Sequence, residues 1–219
     1  MSEFNLQWVG EYLKREPDVV FDVGCFDCAD SIAFKLRWPG ARVLAFEACP
    51  DNFRRIVTRL ATMEDCPEIE LFHFAMCDTD GEIMFFSNAD AKMPGGFGQS
   101  GSVLTPTQAI DNKWRGGMGH ITFKPQRMVP AARLDTFCSS HGLAAIDLLH
   151  MDVQGAESKV IDGMGALRPS MIFLEIDEVA EVGGYFGGTP MAELVERLTS
   201  RGYAEKWHSE HDALYVLGA

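Results

Sequence analysis

Four positions in this chain have the types and surroundings to do chemistry: Gly24, Glu47, His150 and Asp152. Gly24 ends the apolar run Val19-Val20-Phe21-Asp22-Val23, where a tight turn needs a residue without a side chain. Glu47 ends the next run, Arg42-Val43-Leu44-Ala45-Phe46. In α/β sheets, a glycine turn after one strand and an acid after the next let a nucleoside lie across adjacent strand ends. The carboxylate then accepts hydrogen bonds from ribose hydroxyls. Asp152 ends a later run, Asp147-Leu148-Leu149-His150-Met151, and Val153-Gln154-Gly155-Ala156-Glu157 follows it. A strand there delivers Asp152 to its carboxyl end, the edge at which open α/β sheets bind ligands. With a side-chain period of two, His150 and Asp152 share one side of that strand.

The loop Gly24-Cys25-Phe26-Asp27-Cys28 holds one glycine. A dinucleotide fingerprint wants G-x-G-x-x-G, whose backbone amides face a pyrophosphate. A cofactor without phosphates needs no such cradle, so this loop beside an acidic second strand suits S-adenosylmethionine better than NAD. Methyl transfer from a sulfonium is an in-line displacement on an activated carbon, and the protein's main tasks are alignment and exclusion of water. A hydroxyl nucleophile must also lose its proton, and Asp152 or His150 is placed to take it. An alternative for His150 is a core histidine bonded to a neighbour, since its strand is buried. Asp152, Glu175 and Asp177 sit at the ends of two strands, where three oxygens could bind magnesium and polarise the hydroxyl. Clustered acids are common at such strand ends, and no residue is assigned as a metal ligand.

These groups need a scaffold, and the pattern supplies one. Phe4 to Arg15 places Leu6, Val9, Tyr12 and Leu13 near one helical face. Strands are expected at Val19–Val23, Arg42–Phe46 and Ile69–Ala75, with helices at Asp30–Arg37 and Asp51–Met63 between them. This βα alternation predicts a mostly parallel sheet with right-handed crossovers. Glu82–Phe86 reads as a short extra strand, and Ala89 to Gly119 as a Gly-rich insertion: a mobile lid, a substrate loop, or an insertion without function. Within it, Phe97, Trp114 and Met118 could contact substrate or simply pack down. Leu134–Ser140, Ala156–Asp162 and Met191–Arg201 read as helices, Ile146–Met151 and Met171–Ile176 as strands. Tyr203–Trp207 and Ala213–Leu217 close the sheet as a hairpin with one antiparallel strand. One domain over residues 1–219 is expected.

Composition narrows the function classes. The chain is 47% hydrophobic and carries a formal charge of −13, from 32 acids against 19 Lys plus Arg. Such a surface repels polyanions, which disfavours nucleic acid and anionic membranes as partners. No apolar run is long enough to cross a bilayer, and Met1-Ser2-Glu3-Phe4-Asn5 lacks the pattern of a signal peptide, so a cytoplasmic location is expected. The six cysteines read as reduced thiols, and only Cys25 and Cys28 form a C-x-x-C pair.

The chain resembles the FkbM family of S-adenosylmethionine-dependent methyltransferases, within the class I Rossmann-like methyltransferases. The residues that carry this are Phe21-Asp22-Val23-Gly24, Phe46-Glu47-Ala48-Cys49-Pro50-Asp51-Asn52, Ser100-Gly101-Ser102-Val103-Leu104 and Arg133-Leu134-Asp135-Thr136-Phe137. The most distinctive is Met151-Asp152-Val153-Gln154-Gly155-Ala156-Glu157, with Glu175 closing the next strand. The resemblance implies a seven-stranded, mostly parallel sheet with helices on both faces and a C-terminal antiparallel hairpin. It implies a cofactor site in which Asp22, Gly24 and Cys25 lie near the methionine part of S-adenosylmethionine. Glu47 would hold the ribose, Ala48 would lie near the adenosine, Ala75 and Met76 would flank the adenine, and Asp152 would stand beside the reaction centre. It further implies O-methylation of a small-molecule hydroxyl, on a sugar or natural product. Two positions depart from the family pattern: Cys28 stands where relatives carry a second glycine, and His150 where they carry lysine.

Two other classes are compatible with the sequence. Cys25 and Cys28 follow a strand and precede a helix, as in thiol-redox motifs. A non-catalytic nucleoside-binding module would also keep the fold. Oligomeric state is not legible in the sequence.

Overall fold

The computed structural model describes residues 3–90, 98–107, 121–176 and 185–218. Its first elements are α1 (Gln7–Leu13), β1 (Val19–Val23), α2 (Ala29–Arg37), β2 (Arg42–Phe46), α3 (Pro50–Thr62) and β3 (Glu70–Phe72). Next come β4 (Ala75–Cys77), β5 (Gly81–Phe85), β6 (Asn88–Asp90), β7 (Thr105–Pro106), β8 (Ile121–Phe123) and β9 (Arg127–Arg133). The remainder is α4 (Leu134–Ser140), β10 (Leu148–Met151), α5 (Glu157–Gly163), β11 (Met171–Glu175), β12 (Tyr185–Phe186), α6 (Met191–Ser200), β13 (Tyr203–His208) and β14 (Asp212–Leu217).

A seven-stranded sheet runs in the order β13-β14-β11-β10-β1-β2-β3. Its pairs are parallel from β11 through β3, and β14 is antiparallel to both of its neighbours. The period of two divides each central strand between two faces. Phe21, Val23, Leu44, Phe46, Leu149, Met151, Ile172 and Leu174 pack with Phe137 of α4, Val160 and Ile161 of α5, and Leu194 and Leu198 of α6. Val20, Val43, Leu148, Met171 and Phe173 pack with Val9 of α1 and Phe34 of α2 on the opposite face. Burying each large apolar side chain contributes roughly 1.5–3 kcal/mol. Strands this apolar on both faces hold their carboxyl ends in fixed relative positions, which is what a site built across them requires. Among the described residues, no helix is long and apolar enough to cross a membrane.

Local signals explain the helix boundaries. Pro50 opens α3 at a position where its missing N–H costs nothing. The leading helix is shorter than the expected Phe4–Arg15: Lys14 adopts a left-handed φ of 58° and ends it, while Phe4 lies against Phe34 and Phe173. The strand expected at Ile69–Ala75 divides instead. β3 ends at Phe72, and Ala75 and Met76 belong to β4, which pairs with β9 in a second sheet of order β4-β9-β5. β9 carries no strand signal in the sequence, because Pro130 and the small Ala131 and Ala132 weaken the alternation. Of the insertion expected at 89–119, β6 pairs with β8 and β7 with β12. Phe97, Trp114 and Met118 lie outside the described residues.

Candidate active site

β1 and β10 are parallel neighbours from which the chain moves off in opposite directions across the sheet, the switch point at which open α/β sheets place ligands. Gly24 follows β1 with a φ of +85°, a conformation natural to glycine, and a Cβ built there would lie 1.9 Å from the carbonyl oxygen of Asp152. The Asp152 amide in turn donates to the carbonyl of Val23 at 2.9 Å. Glu47 follows β2 and is buried; its carboxylate accepts hydrogen bonds from the backbone N–H groups of Cys49, at 2.6 Å, and Phe26. Burial pushes the Glu47 carboxyl up to about 8, with the charges of Asp152 and Asp22 adding to the effect and the backbone hydrogen bonds opposing it.

Gly24, Glu47, Ala48, Ala75, Met76 and Asp152 all line one solvent-open cleft. A concave, mostly apolar lining with a few convergent polar groups is the usual form of a small-molecule or cofactor site. Its remaining wall includes Phe26, Asn52, Phe74, Phe85 and Val103. Apolar groups suited to a purine therefore share the cleft with a carboxyl group suited to a ribose diol. Among the described residues, no Lys or Arg lines the cleft, which fits a cofactor without phosphates. S-adenosylmethionine has no phosphate, and its sulfonium and ammonium suit a cleft that holds Asp152. The residues present fit that cofactor.

Three other expected site residues face elsewhere. Cys25 is buried with its Sγ 3.8 Å from that of Cys28, and it does not line the cleft. Burial, together with the Cys28 contact and the nearby acids, pushes the Cys25 thiol well above its ordinary range. Asp22 points to the α1 and α2 side, where it accepts hydrogen bonds from Ser31 Oγ and His150 Nδ1, the latter at 2.9 Å. His150 is stacked parallel on Phe173 with ring centroids 5.3 Å apart, and Phe4 and Phe34 present their edges to it. Its Nε2 is buried and, among the described residues, has no hydrogen-bond partner. Burial works against its charge, but the hydrogen bond and field of Asp22, with help from Asp30 and Asp152, outweigh this and raise its pKa. The parity that places His150 and Asp152 on one side holds only to the strand's end at Met151; beyond it the chain turns Asp152 into the cleft.

The turn after Asp152 is held by its own side chains. Glu157, buried at the start of α5, accepts from the backbone N–H groups of Gly155, at 3.2 Å, and Val153. Burial pushes its carboxyl up to about 7. Gln154 has a left-handed φ of 55°, and its amide nitrogen donates to Asp152 Oδ1 at 2.8 Å and to Glu175 Oε2 at 2.5 Å. Asp177, the third oxygen donor considered from sequence, lies outside the described residues. Among the described residues, no group of three or more His, Cys, Asp or Glu is arranged to hold a metal ion.

Sequence reasoning missed the far wall of the cleft. Phe85 belongs to the second sheet, and Gly98, Gln99 and Gly101 come from the irregular segment. A Cβ at Gly101 would stand 2.7 Å from the Phe85 ring, so the Ser100–Leu104 motif is what lets this segment pack against the cleft. Its Ser102 bonds the Val153 carbonyl at 3.5 Å and pairs with Phe86. The motif was a usable signal, whereas the identity of its partner strand was not.

The fold and cleft define a class I, Rossmann-like methyltransferase architecture. It is similar to the crystal structure of precorrin-6y C5,15-methyltransferase from Geobacter metallireducens GS-15, with a TM-score of 0.50 at 13% identity, covering 96% of this chain and 86% of that one. The methyltransferase FkbM domain model matches residues 18–204, and the chain belongs to that family of S-adenosylmethionine-dependent methyltransferases. A curated relative, the 2-O-methyltransferase NoeI of Sinorhizobium fredii (strain NBRC 101917 / NGR234), is 32% identical over 191 residues, which cover 86% of this chain and 74% of the relative.

Proposed function

We propose that this chain, as one methyltransferase domain, transfers a methyl group from S-adenosylmethionine to a hydroxyl oxygen of a sugar or related natural-product small molecule. The observation that carries the reading is the single cleft shared by Gly24, Glu47, Ala48, Ala75, Met76 and Asp152. The relative's activity, 2-O-methylation, supports oxygen as the acceptor atom. The bound cofactor supplies a methyl group already activated by its sulfonium. Gly24 gives the methionine part close access to the backbone, and Glu47 accepts the ribose hydroxyls. Asp152, at the mouth of the switch point, takes the proton of the acceptor hydroxyl as the oxygen attacks. His150 is sealed among Phe4, Phe34 and Phe173, so we assign the base role to Asp152 instead.

Six free thiols suit a reducing compartment, in line with a cytoplasmic enzyme. The same burial of Cys25 and Cys28 argues against thiol exchange as the activity. The test is transfer of labelled methyl from S-adenosylmethionine to a panel of mono- and oligosaccharides, with Asp152→Asn as control. Label appearing as an alkali-stable methyl ether, and reduced at least ~100-fold in the variant, is expected. Label on nitrogen or carbon, or an unchanged rate in the variant, would overturn the assignment.

A further inference from the structure

We propose that Gln154 is a positioning residue that keeps Asp152 available as a proton acceptor by lending one amide nitrogen to Asp152 and Glu175 together. The inference rests on the reading of Asp152 as the base. Nε2 of Gln154 stands 2.8 Å from Asp152 Oδ1 and 2.5 Å from Glu175 Oε2. An amide nitrogen carries two hydrogens and no acceptor lone pair, so both hydrogens are spent here, and the end of the amide facing two carboxylates is fixed by chemistry.

Two carboxyl groups that converge on one point would otherwise repel, and one would take up a proton. An Asp152 that holds a proton cannot receive another from an acceptor hydroxyl. A lysine or arginine between the two would also separate them, but it would stabilise the charged form and weaken the base. A neutral amide relieves the repulsion without cancelling the charge. That distinction is the functional content of having glutamine at this position.

The backbone is shaped to deliver this side chain. Gln154 takes φ of 55°, a region few residues other than glycine occupy, and Glu157 gathers the amides of Val153 and Gly155 on either side of it. The side chain thereby turns back across the ends of β10 and β11 instead of pointing along α5. Among the described residues, other titratable groups in the field of Asp152 are Glu47 after β2, Glu157 on α5, His150 on β10 and Asp212 on β14. Of the carboxyl groups, Glu175 is the one joined to Asp152 through a shared donor.

The test needs neither acceptor nor cofactor. The side-chain carboxyl carbons of Asp and Glu are labelled with carbon-13, and the Asp152 signal is followed by NMR against pH in the free protein. Gln154→Met keeps the length and removes the donor; it should move the Asp152 midpoint upward by about one pH unit or more from wild type. Adding Glu175→Gln to that variant should cancel the shift. Gln154→Lys, a second variant that also retains an unbranched chain, should move the midpoint in the opposite direction. Superposable curves for wild type and Gln154→Met, or a shift that survives Glu175→Gln, would overturn the proposal. Failure of the methyltransferase reading would show separately, as absence of cofactor binding in the wild-type protein.

Discussion

The main-chain carbonyl of Asp152 occupies the space that a side chain on residue 24 would need: a Cβ at Gly24 would stand 1.9 Å from that oxygen. The turn that opens the cofactor loop and the strand end that carries the proposed base are thus one packed unit. Replacing Gly24 with alanine forces a left-handed residue, at about 1–2 kcal/mol, and also pushes β10 away from β1. Gly24→Ala should destabilise the protein by about 3 kcal/mol or more, read as a lower midpoint in urea unfolding. A midpoint within about 1 kcal/mol of wild type would show that the loop relaxes freely.

Glu47 predicts a pH dependence whose sign follows from burial. Its carboxyl is held at about 8 in the fold against an ordinary 4.5, so the folded state retains a proton that the unfolded state has lost. The stability this contributes is fully present below 4.5 and is lost as pH rises through about 8. Glu47→Gln, neutral at every pH, should gain stability relative to wild type as pH is raised from 5 to 9, measured by urea midpoints. A difference that stays constant across that range would contradict the burial argument. Ribose hydroxyls favour the ionised form, so cofactor binding below pH 8 should release a proton, visible by calorimetry in buffers of different ionisation enthalpy.

The central architecture was legible because its signals are physical constraints on single strands. Val19–Val23 and Arg42–Phe46 are buried on both faces and read as continuous apolar runs, and both strand ranges match the structure. Gly24, Glu47 and Asp152 follow such runs, so their placement at strand ends could be inferred before any geometry was known. The second sheet was not legible: β9 contains a proline and alanines, and its partners β4 and β5 lie far from it in the chain. His150 shows the limit of parity. Period two gave it the same side as Asp152, but nothing in sequence says that α1 brings Phe4 over that side and seals the ring from the cleft.

The cysteines give a chemical check on the packing. Cys66 is exposed, while Cys25, Cys28, Cys49, Cys77 and Cys138 are buried. Burial also raises the thiols of Cys49 and Cys77, and that of Cys138 to about 11. A short treatment of the native protein with iodoacetamide should modify Cys66 alone, as seen by intact mass and peptide mapping. Rapid labelling of Cys25 or Cys28 would contradict the sealed loop. Changing both of these to serine should leave methyl transfer in place.

His150 and Asp152 should separate in mutants. His150 has a raised pKa in the fold, so its contribution to stability is fully present below 6.5 and is lost as pH rises through the folded value. His150→Gln should therefore cost more stability at pH 6 than at pH 9, while folded protein still turns over. Asp152→Asn should instead fold and bind cofactor but lose at least ~100-fold in kcat. Loss of the chemical step in folded His150→Gln, with Asp152→Asn unaffected, would reverse the assignment of the base.

The most direct measurement is calorimetric titration of S-adenosylmethionine into the wild-type protein and Glu47→Ala, with NAD as control ligand. Micromolar binding of S-adenosylmethionine is expected, with none of NAD and at least a tenfold loss of affinity in the variant. Binding of NAD in preference, or S-adenosylmethionine affinity unchanged by Glu47→Ala, would contradict the cleft described here as the cofactor site.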